Sequence, residues 1–185
     1  MGADIGELLS ALVRDVPDYP SPGILFKDIT PVLADAGAFA AVTDALVEQH
    51  APGTGGPAGG LGKIDKVVGI EARGFILAAP VAYHLQAGFV PMRKKGKLPY
   101  ETFQSSYERE YGSATIEVHR DALRPGERVL VVDDVLATGG TAAAALDLIE
   151  QCGARLAGLS FLLELSALRG REKLPGAQIH TLLLV

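Results

Sequence analysis

The chain has 185 residues, 48% hydrophobic and 21% charged, with a formal net charge of −5. That length is enough for one domain with a proper core, and the acidic balance excludes broad binding to nucleic acid or anionic membranes, which needs a basic excess. A single cysteine, Cys152, excludes an internal disulfide and any multi-cysteine metal site, and the absence of asparagine excludes N-glycosylation. The first residues, Met1-Gly2-Ala3-Asp4, carry no basic region followed by an apolar stretch, so no secretory signal is expected. Gly6 to Val16 reads as an amphipathic helix, with Leu8, Leu9, Leu12, Val13 and Val16 on one side. Pro17, Pro20 and Pro22 end it and impose an extended connection.

A second helix is predicted from about Ala38 to His50. Residues 51–62 hold six glycines and two prolines and read as a mobile loop. Lys66–Ile70 is a buried strand, Phe75–Gln86 a helix, and Phe89–Met92 another short strand. Arg93 to Gly112 is polar, charged and aromatic without clear periodicity, whereas Ala114–Val118 alternates as an antiparallel strand should. Arg128–Val132 is a strand and Thr141–Cys152 a helix with Gly153 as its cap. Leu156–Leu165 and Ile179–Val185 complete the sheet. No apolar run is long enough to span a membrane. Strands alternating with helices predict an α/β domain with a parallel core.

Three segments carry chemistry. In Val131-Val132-Asp133-Asp134-Val135-Leu136-Ala137-Thr138-Gly139-Gly140-Thr141, a β-branched run meets two acids, and a small-residue turn opens a helix. The amides of Gly139, Gly140 and Thr141, the helix N-terminus and the hydroxyls of Thr138 and Thr141 suit a phosphate. Asp133 and Asp134 suit the hydroxyls of the sugar bearing it. The bland alternative is a capped helix beside two solvated acids, but adjacent carboxylates on a buried strand call for a partner. Glu71-Ala72-Arg73-Gly74-Phe75 follows a strand and opens a helix; its amides and the Arg73 guanidinium suit a diphosphate, unless it is an ordinary turn with an exposed ion pair. Arg93-Lys94-Lys95-Gly96-Lys97 puts four cations into five positions, either an anion site or a solvated face. Tyr100, Phe103, Tyr107 and Tyr111 follow, interleaved with Glu101, Glu108 and Glu110, as in a long lid or a loose surface hairpin. The match of Gly53-Thr54-Gly55-Gly56-Pro57-Ala58 to a dinucleotide fingerprint is accidental, since no strand precedes it and Pro57 interrupts it. His50, His84, His119 and His180 are scattered and read as surface or satisfied residues.

Through the Val131–Thr141 segment the chain resembles the type I phosphoribosyltransferases. Asp18-Tyr19-Pro20-Ser21-Pro22-Gly23-Ile24-Leu25-Phe26-Lys27-Asp28-Ile29 and Ser106-Tyr107-Glu108-Arg109-Glu110-Tyr111-Gly112 resemble the adenine-using branch of that family. Leu163-Glu164-Leu165 and Gly170-Arg171-Glu172-Lys173-Leu174 extend the likeness almost to the end. The resemblance implies one domain over residues 1–185: a mostly parallel sheet flanked by helices, a small N-terminal hood over about residues 1–35 and a flexible lid hairpin over about 93–118.

It further implies transfer of the 5-phosphoribosyl group of 5-phosphoribosyl-1-pyrophosphate to adenine, with magnesium held mainly by the diphosphate and water. Ala137, Thr138, Gly139, Gly140 and Thr141 would bind the 5-phosphate, and Asp133 and Asp134 the ribose. Glu71, Ala72, Arg73 and Gly74, with Lys94 and Lys97, would bind pyrophosphate. The family carries a non-proline cis peptide in that loop, here expected at Glu71–Ala72. Leu25, Phe26, Lys27 and Leu165 would hold adenine: Phe26 and Leu165 sandwiching it, and the Leu25 backbone reading its edge. Lys27 stands where many members carry arginine, keeping the charge without the planar fork. Glu110 would be the general acid/base. A cytoplasmic homodimer is expected, with no nucleic-acid or membrane partner. Another base (hypoxanthine, guanine, xanthine or orotate) and a non-catalytic nucleotide-binding module of the same fold are the competing readings.

Overall fold

A computed structural model describes residues 4–50, 63–108 and 112–185; the glycine-rich stretch expected to form a mobile loop lies outside them. Helix α1 (Ile5–Leu12) starts at Asp4, whose carboxylate accepts the Gly6 N–H at 3.0 Å. It stops four residues short of the predicted end. Val13 is already extended, and β1 (Arg14–Pro17) pairs antiparallel with β2 (Leu25–Asp28), Val16 opposite Phe26. The apolar spacing of Val13 and Val16 fits a helix, but β-branched Val16 finds a strand partner and Pro17 lacks the amide a helix needs.

Two helices follow, α2 (Thr30–Ala34) and α3 (Ala36–Glu48), the second capped by Asp35. The chain then runs through β3 (Lys66–Ile70), α4 (Arg73–His84), β4 (Gly88–Lys94), β5 (Thr102–Glu108), β6 (Ser113–His119), β7 (Arg128–Leu136), α5 (Gly140–Gln151) and β8 (Arg155–Glu164). Two short 3-10 turns and β9 (Ile179–Leu184) complete it. Seven strands form one sheet in the order β5-β6-β4-β3-β7-β8-β9, parallel except for the β5–β6 edge. Among the described residues no helix is long and apolar enough to cross a membrane.

The sheet is covered on both faces, so its central strands are continuously apolar. Val68, Val129 and Val131 pack with α5 residues such as Ala145 and Leu148, while Val67, Leu130 and Val132 pack with α4 and α3 residues such as Leu77 and Val42. Because α4 and α5 leave β3 and β7 on opposite faces, a crevice opens between those strands at their carboxyl ends, where ligands of such sheets bind.

Two expectations about the strands need correction. The strand predicted to end at Val132 continues to Leu136, so both acids lie within β7, held by pairing of Asp133 with Phe161 and Val135 with Leu163. The segment predicted to lack periodicity contains β5, paired with β6 from Thr102–His119 to Glu108–Ser113. Phe103 and Tyr107 pack on the core and Ser105 is buried, so the strand's alternation is half hidden by serine and glutamine.

Candidate active site

The turn between β7 and α5 is shaped by backbone contact. Gly139 sits at φ +79°, and a Cβ there would run into the carbonyl oxygen of Gly170. Gly170 in turn faces the Ala137 carbonyl with no room for a side chain. The first-turn amides of α5 therefore meet a small cavity of about 60 Å³, lined by Asp133, Ala137, Thr138, Gly139, Gly140 and Thr141. In the sequence Gly170 stands only as part of a matching segment, without a role, since nothing local in Arg169-Gly170-Arg171 marks the contact.

Adjacent residues of a strand normally point to opposite faces. Here the alternation slips after Val132: Leu136 joins the core face of Val129 and Val131, and Val135 the other. Both Asp133 and Asp134 consequently line one cleft. Asp134 Oδ2 lies 2.6 Å from Arg73 Nε, and Asp133 Oδ1 accepts the Asp134 N–H at 2.9 Å. Burial, together with the charge of Asp134, raises the Asp133 pKa well above the usual carboxylate range. Burial also raises that of Asp134, against the pull of Arg73. Gly74 permits this assembly, since a Cβ there would sit 2.6 Å from Asp133 Oδ1 and 3.0 Å from the Val132 carbonyl.

The Glu71–Ala72 peptide bond is cis, as the resemblance implied. The Glu71 carboxylate turns away from α4 to the basic segment: Oε2 accepts the Lys94 N–H at 3.0 Å and Arg93 Nε at 3.3 Å, and Oε1 pairs with Lys97 Nζ. Burial works to raise the Glu71 pKa, but the bonds from Lys97 and Lys94 and the charges of Lys97 and Arg93 hold it below its ordinary value. A second carboxylate, Glu117, is 2% exposed and accepts the Lys97 and Leu98 amides at 3.0 Å each. Thr102 and Gln104 reach its other oxygen. The sequence reading passed over Glu117, although an acid inside the apolar alternation Ile116-Glu117-Val118, in a strand beside a basic segment, is a usable signal.

The β1–β2 hairpin closes the other side. Arg73 lies over the Phe26 ring, 5.2 Å from its centre, and Tyr19 meets that ring edge-on. Lys27 Nζ pairs with Asp15 at 2.6 Å, across the hairpin. A cleft of about 420 Å³ results. It gathers Leu25, Phe26, Lys27, Glu71, Ala72, Arg73, Lys94, Asp133, Asp134, Ala137, Thr141 and Leu165, with the cavity of Thr138, Gly139 and Gly140 adjoining. Tyr107, Ile24 and Leu168 also line it. Of the remaining candidates, Gly74 packs under Asp133, Lys97 is tied to Glu71, and Glu110 lies outside the described residues.

The histidines are less scattered than they look in the sequence. His50 and His180 stack edge to face 5.3 Å apart beneath β8 and β9, where His50 Nε2 contacts Ser160 Oγ at 2.7 Å. His50 Nδ1, His180 Nε2 and His119 Nε2 are buried without hydrogen-bond partners, which corrects their reading as surface or satisfied groups.

A parallel sheet with a phosphate-sized turn beside a diacid at its switch point matches known proteins. The family model described as phosphoribosyl transferase domain matches residues 58–174. Adenine phosphoribosyltransferase from Acidothermus cellulolyticus is 69% identical, over 99% of this chain and 98% of that protein. Among solved structures, adenine phosphoribosyltransferase from Rhodothermus marinus is 50% identical with a TM-score of 0.90, covering 100% of both chains. The Saccharomyces cerevisiae enzyme, solved with an imino-altritol bisphosphate and adenine, is 41% identical with a TM-score of 0.88, over 96% of this chain and 98% of that one. The chain belongs to the phosphoribosyltransferase family and has its type I fold. Within that family its place is among the adenine phosphoribosyltransferases.

Proposed function

We infer that this protein transfers the 5-phosphoribosyl group of 5-phosphoribosyl-1-pyrophosphate to adenine, giving AMP and pyrophosphate in purine salvage. One observation carries the reading: a single cleft is lined by Phe26 and Leu165, by the acids at the end of β7, and by the start of the turn before α5, whose own small cavity adjoins it.

Adenine N9 attacks C1, the bond from C1 to the diphosphate oxygen breaks, and the N9 proton leaves with a base. Positive charge develops on the ribosyl ring and negative charge on the leaving group, so the protein must position one and neutralise the other. Asp133 and Asp134 hold the 2- and 3-hydroxyls, which are donors and acceptors at once and find a partner in either protonation state of the acids. Ala137, Thr138, Gly139, Gly140 and Thr141 bind the 5-phosphate at the start of α5. Arg73, Lys94, Lys97 and the backbone of Glu71, Ala72 and Gly74 receive the diphosphate. Leu25 reads the N1 acceptor and 6-amino donor of adenine, a pattern that a 6-oxo purine reverses and so leaves unpaired. Phe26 and Leu165 sandwich the ring, and Lys27 borders it. Glu110 handles the N9/N7 proton.

Magnesium fits as an ion that arrives on the substrate, because the acids of β7 line the same cleft as Arg73 and Lys94 and can take waters bound to it. When bound it supplies charge neutralisation on the diphosphate. Residues of about 1–35 serve as the hood over the base and about 93–118 as the lid. A homodimer and a cytoplasmic setting follow from the family and are part of this proposal.

The test is pyrophosphate release by the purified protein with magnesium, 5-phosphoribosyl-1-pyrophosphate and each nucleobase in turn. Release with adenine alone supports the reading; release with another base assigns a different specificity, and release with none assigns a binding module. Light scattering in the same buffer checks the dimer mass.

A further inference from the structure

The Glu71 side chain has a place in the cleft that its backbone role does not explain. Its side chain is 7% exposed, yet it carries two cationic partners, Arg93 and Lys97. The other cleft cations are also engaged: Arg73 with Asp134 and Lys27 with Asp15. Among the described residues the Lys94 ammonium is the cleft cation without a partner. Magnesium carried on a diphosphate neutralises part of its charge, and a cation drawn from a carboxylate would add to what Lys94 offers the remainder.

Lys97 is the one placed to move. Its side chain is half exposed on a flexible four-carbon stem. Its backbone is fixed independently, by Glu117 at the Lys97 and Leu98 amides and by Arg93 Nη1 on the Lys97 carbonyl at 3.1 Å. The ammonium can therefore change partner without the segment shifting.

We propose that Glu71 is a resident counter-anion: it holds Lys97 while the cleft is empty, yields it to the diphosphate on binding, and reclaims it as pyrophosphate leaves. Glu71 is then a positioning residue that sets how readily product departs. The proposal rests on the reading that a diphosphate occupies this cleft. No atom is transferred; one ion pair replaces another.

The experiment is titration calorimetry of magnesium pyrophosphate into the intact protein and three variants: Glu71→Gln, Lys97→Met and the double change. Glutamine keeps the size and a carbonyl acceptor for the Lys94 amide while removing the charge. Glu71→Gln should bind pyrophosphate about fivefold to tenfold more tightly, and kcat and the KM for 5-phosphoribosyl-1-pyrophosphate should fall together as release slows. Lys97→Met alone should weaken pyrophosphate binding by about fivefold, and in that background Glu71→Gln should add nothing. Unchanged or weaker binding by Glu71→Gln with a wild-type melting curve overturns the proposal. So does a gain that persists without Lys97. Should Glu71→Gln fail to fold, Lys97→Met decides by itself, because unchanged affinity there also overturns it. Failure of the wild-type protein to make AMP, with these affinities as expected, would sink the functional reading and leave the exchange standing.

Discussion

The two halves of the cleft proposed to bind anions are built by opposite means. At the turn before α5, Gly139 and Gly170 press backbone against backbone. Across the cleft, the basic segment is held by two carboxylates: Glu117 fixes its backbone, and Glu71 pairs with a lysine side chain that a charged ligand could draw away. A group retained through the whole reaction calls for the first kind of site; a group that must leave calls for the second. Rigid packing gives position, while paired charge gives exchange.

The widest break in this comparison should come from Gly170→Ala. The new methyl would enter the Ala137 carbonyl and displace the turn. We expect kcat/KM for 5-phosphoribosyl-1-pyrophosphate to drop by about 100-fold, and overpacking to cost about 1–3 kcal/mol of stability. Initial rates and thermal melting measure both, and wild-type values in either would show that the contact yields.

Acid separates packing from pairing. Burial, with His180 alongside, lowers the His50 pKa from 6.5 to about 4. The unfolded chain thus takes up a proton that the folded protein refuses, and the contribution of His50 to stability falls as the pH drops from 6.5 towards 4, by about 3 kcal/mol, while the raised Asp133 carboxyl works in the opposite sense. The lowered carboxyls of Glu71 and Glu117 contribute in another window: their stabilisation is present above the ordinary glutamate value and is lost as the pH falls through the depressed ones. Denaturant melts from pH 7 to 5 should therefore show the histidine contribution above the range in which glutamates titrate. His50→Gln should flatten the slope over that range, and an unchanged slope would assign it elsewhere.

Glu117→Gln should produce the smallest effect. An amide still accepts the Lys97 and Leu98 N–H groups but loses the charge that strengthens those bonds. We expect kcat/KM to fall by about tenfold with a stability change near 1 kcal/mol, and the affinity for free adenine to stay the same. Loss of adenine binding would mean that the segment supports the base pocket too.

The difference between the halves also decided what the sequence could tell. β3, β7 and the turn after β7 were legible because local rules fix them: apolar runs for strands buried on both faces, and glycine where a tight turn opens a helix. Even there the strand's end was misjudged, since pairing with β8 carries Asp133 and Asp134 into the ladder. The hairpin of β5 and β6 was obscured because Ser105, buried by the fold, looks like a surface residue in the sequence. Glu71 was found for its backbone and missed for its carboxylate, whose partners lie more than twenty positions on. His50 and His180 meet only because α3 packs beneath the β8–β9 edge. The general pattern is that contacts between neighbours in sequence were readable, and contacts made by topology were not.

The back-to-back glycines have a consequence for engineering. The peptide from Asp133 to Thr141, grafted onto another parallel sheet, would carry every group proposed to touch the 5-phosphate and would still lack a floor. That floor arrives from the 3-10 turn after β8, on a different stretch of polypeptide. Transplanting the function therefore means moving two strands and both crossings, and a shorter graft is expected to collapse into an ordinary capped helix.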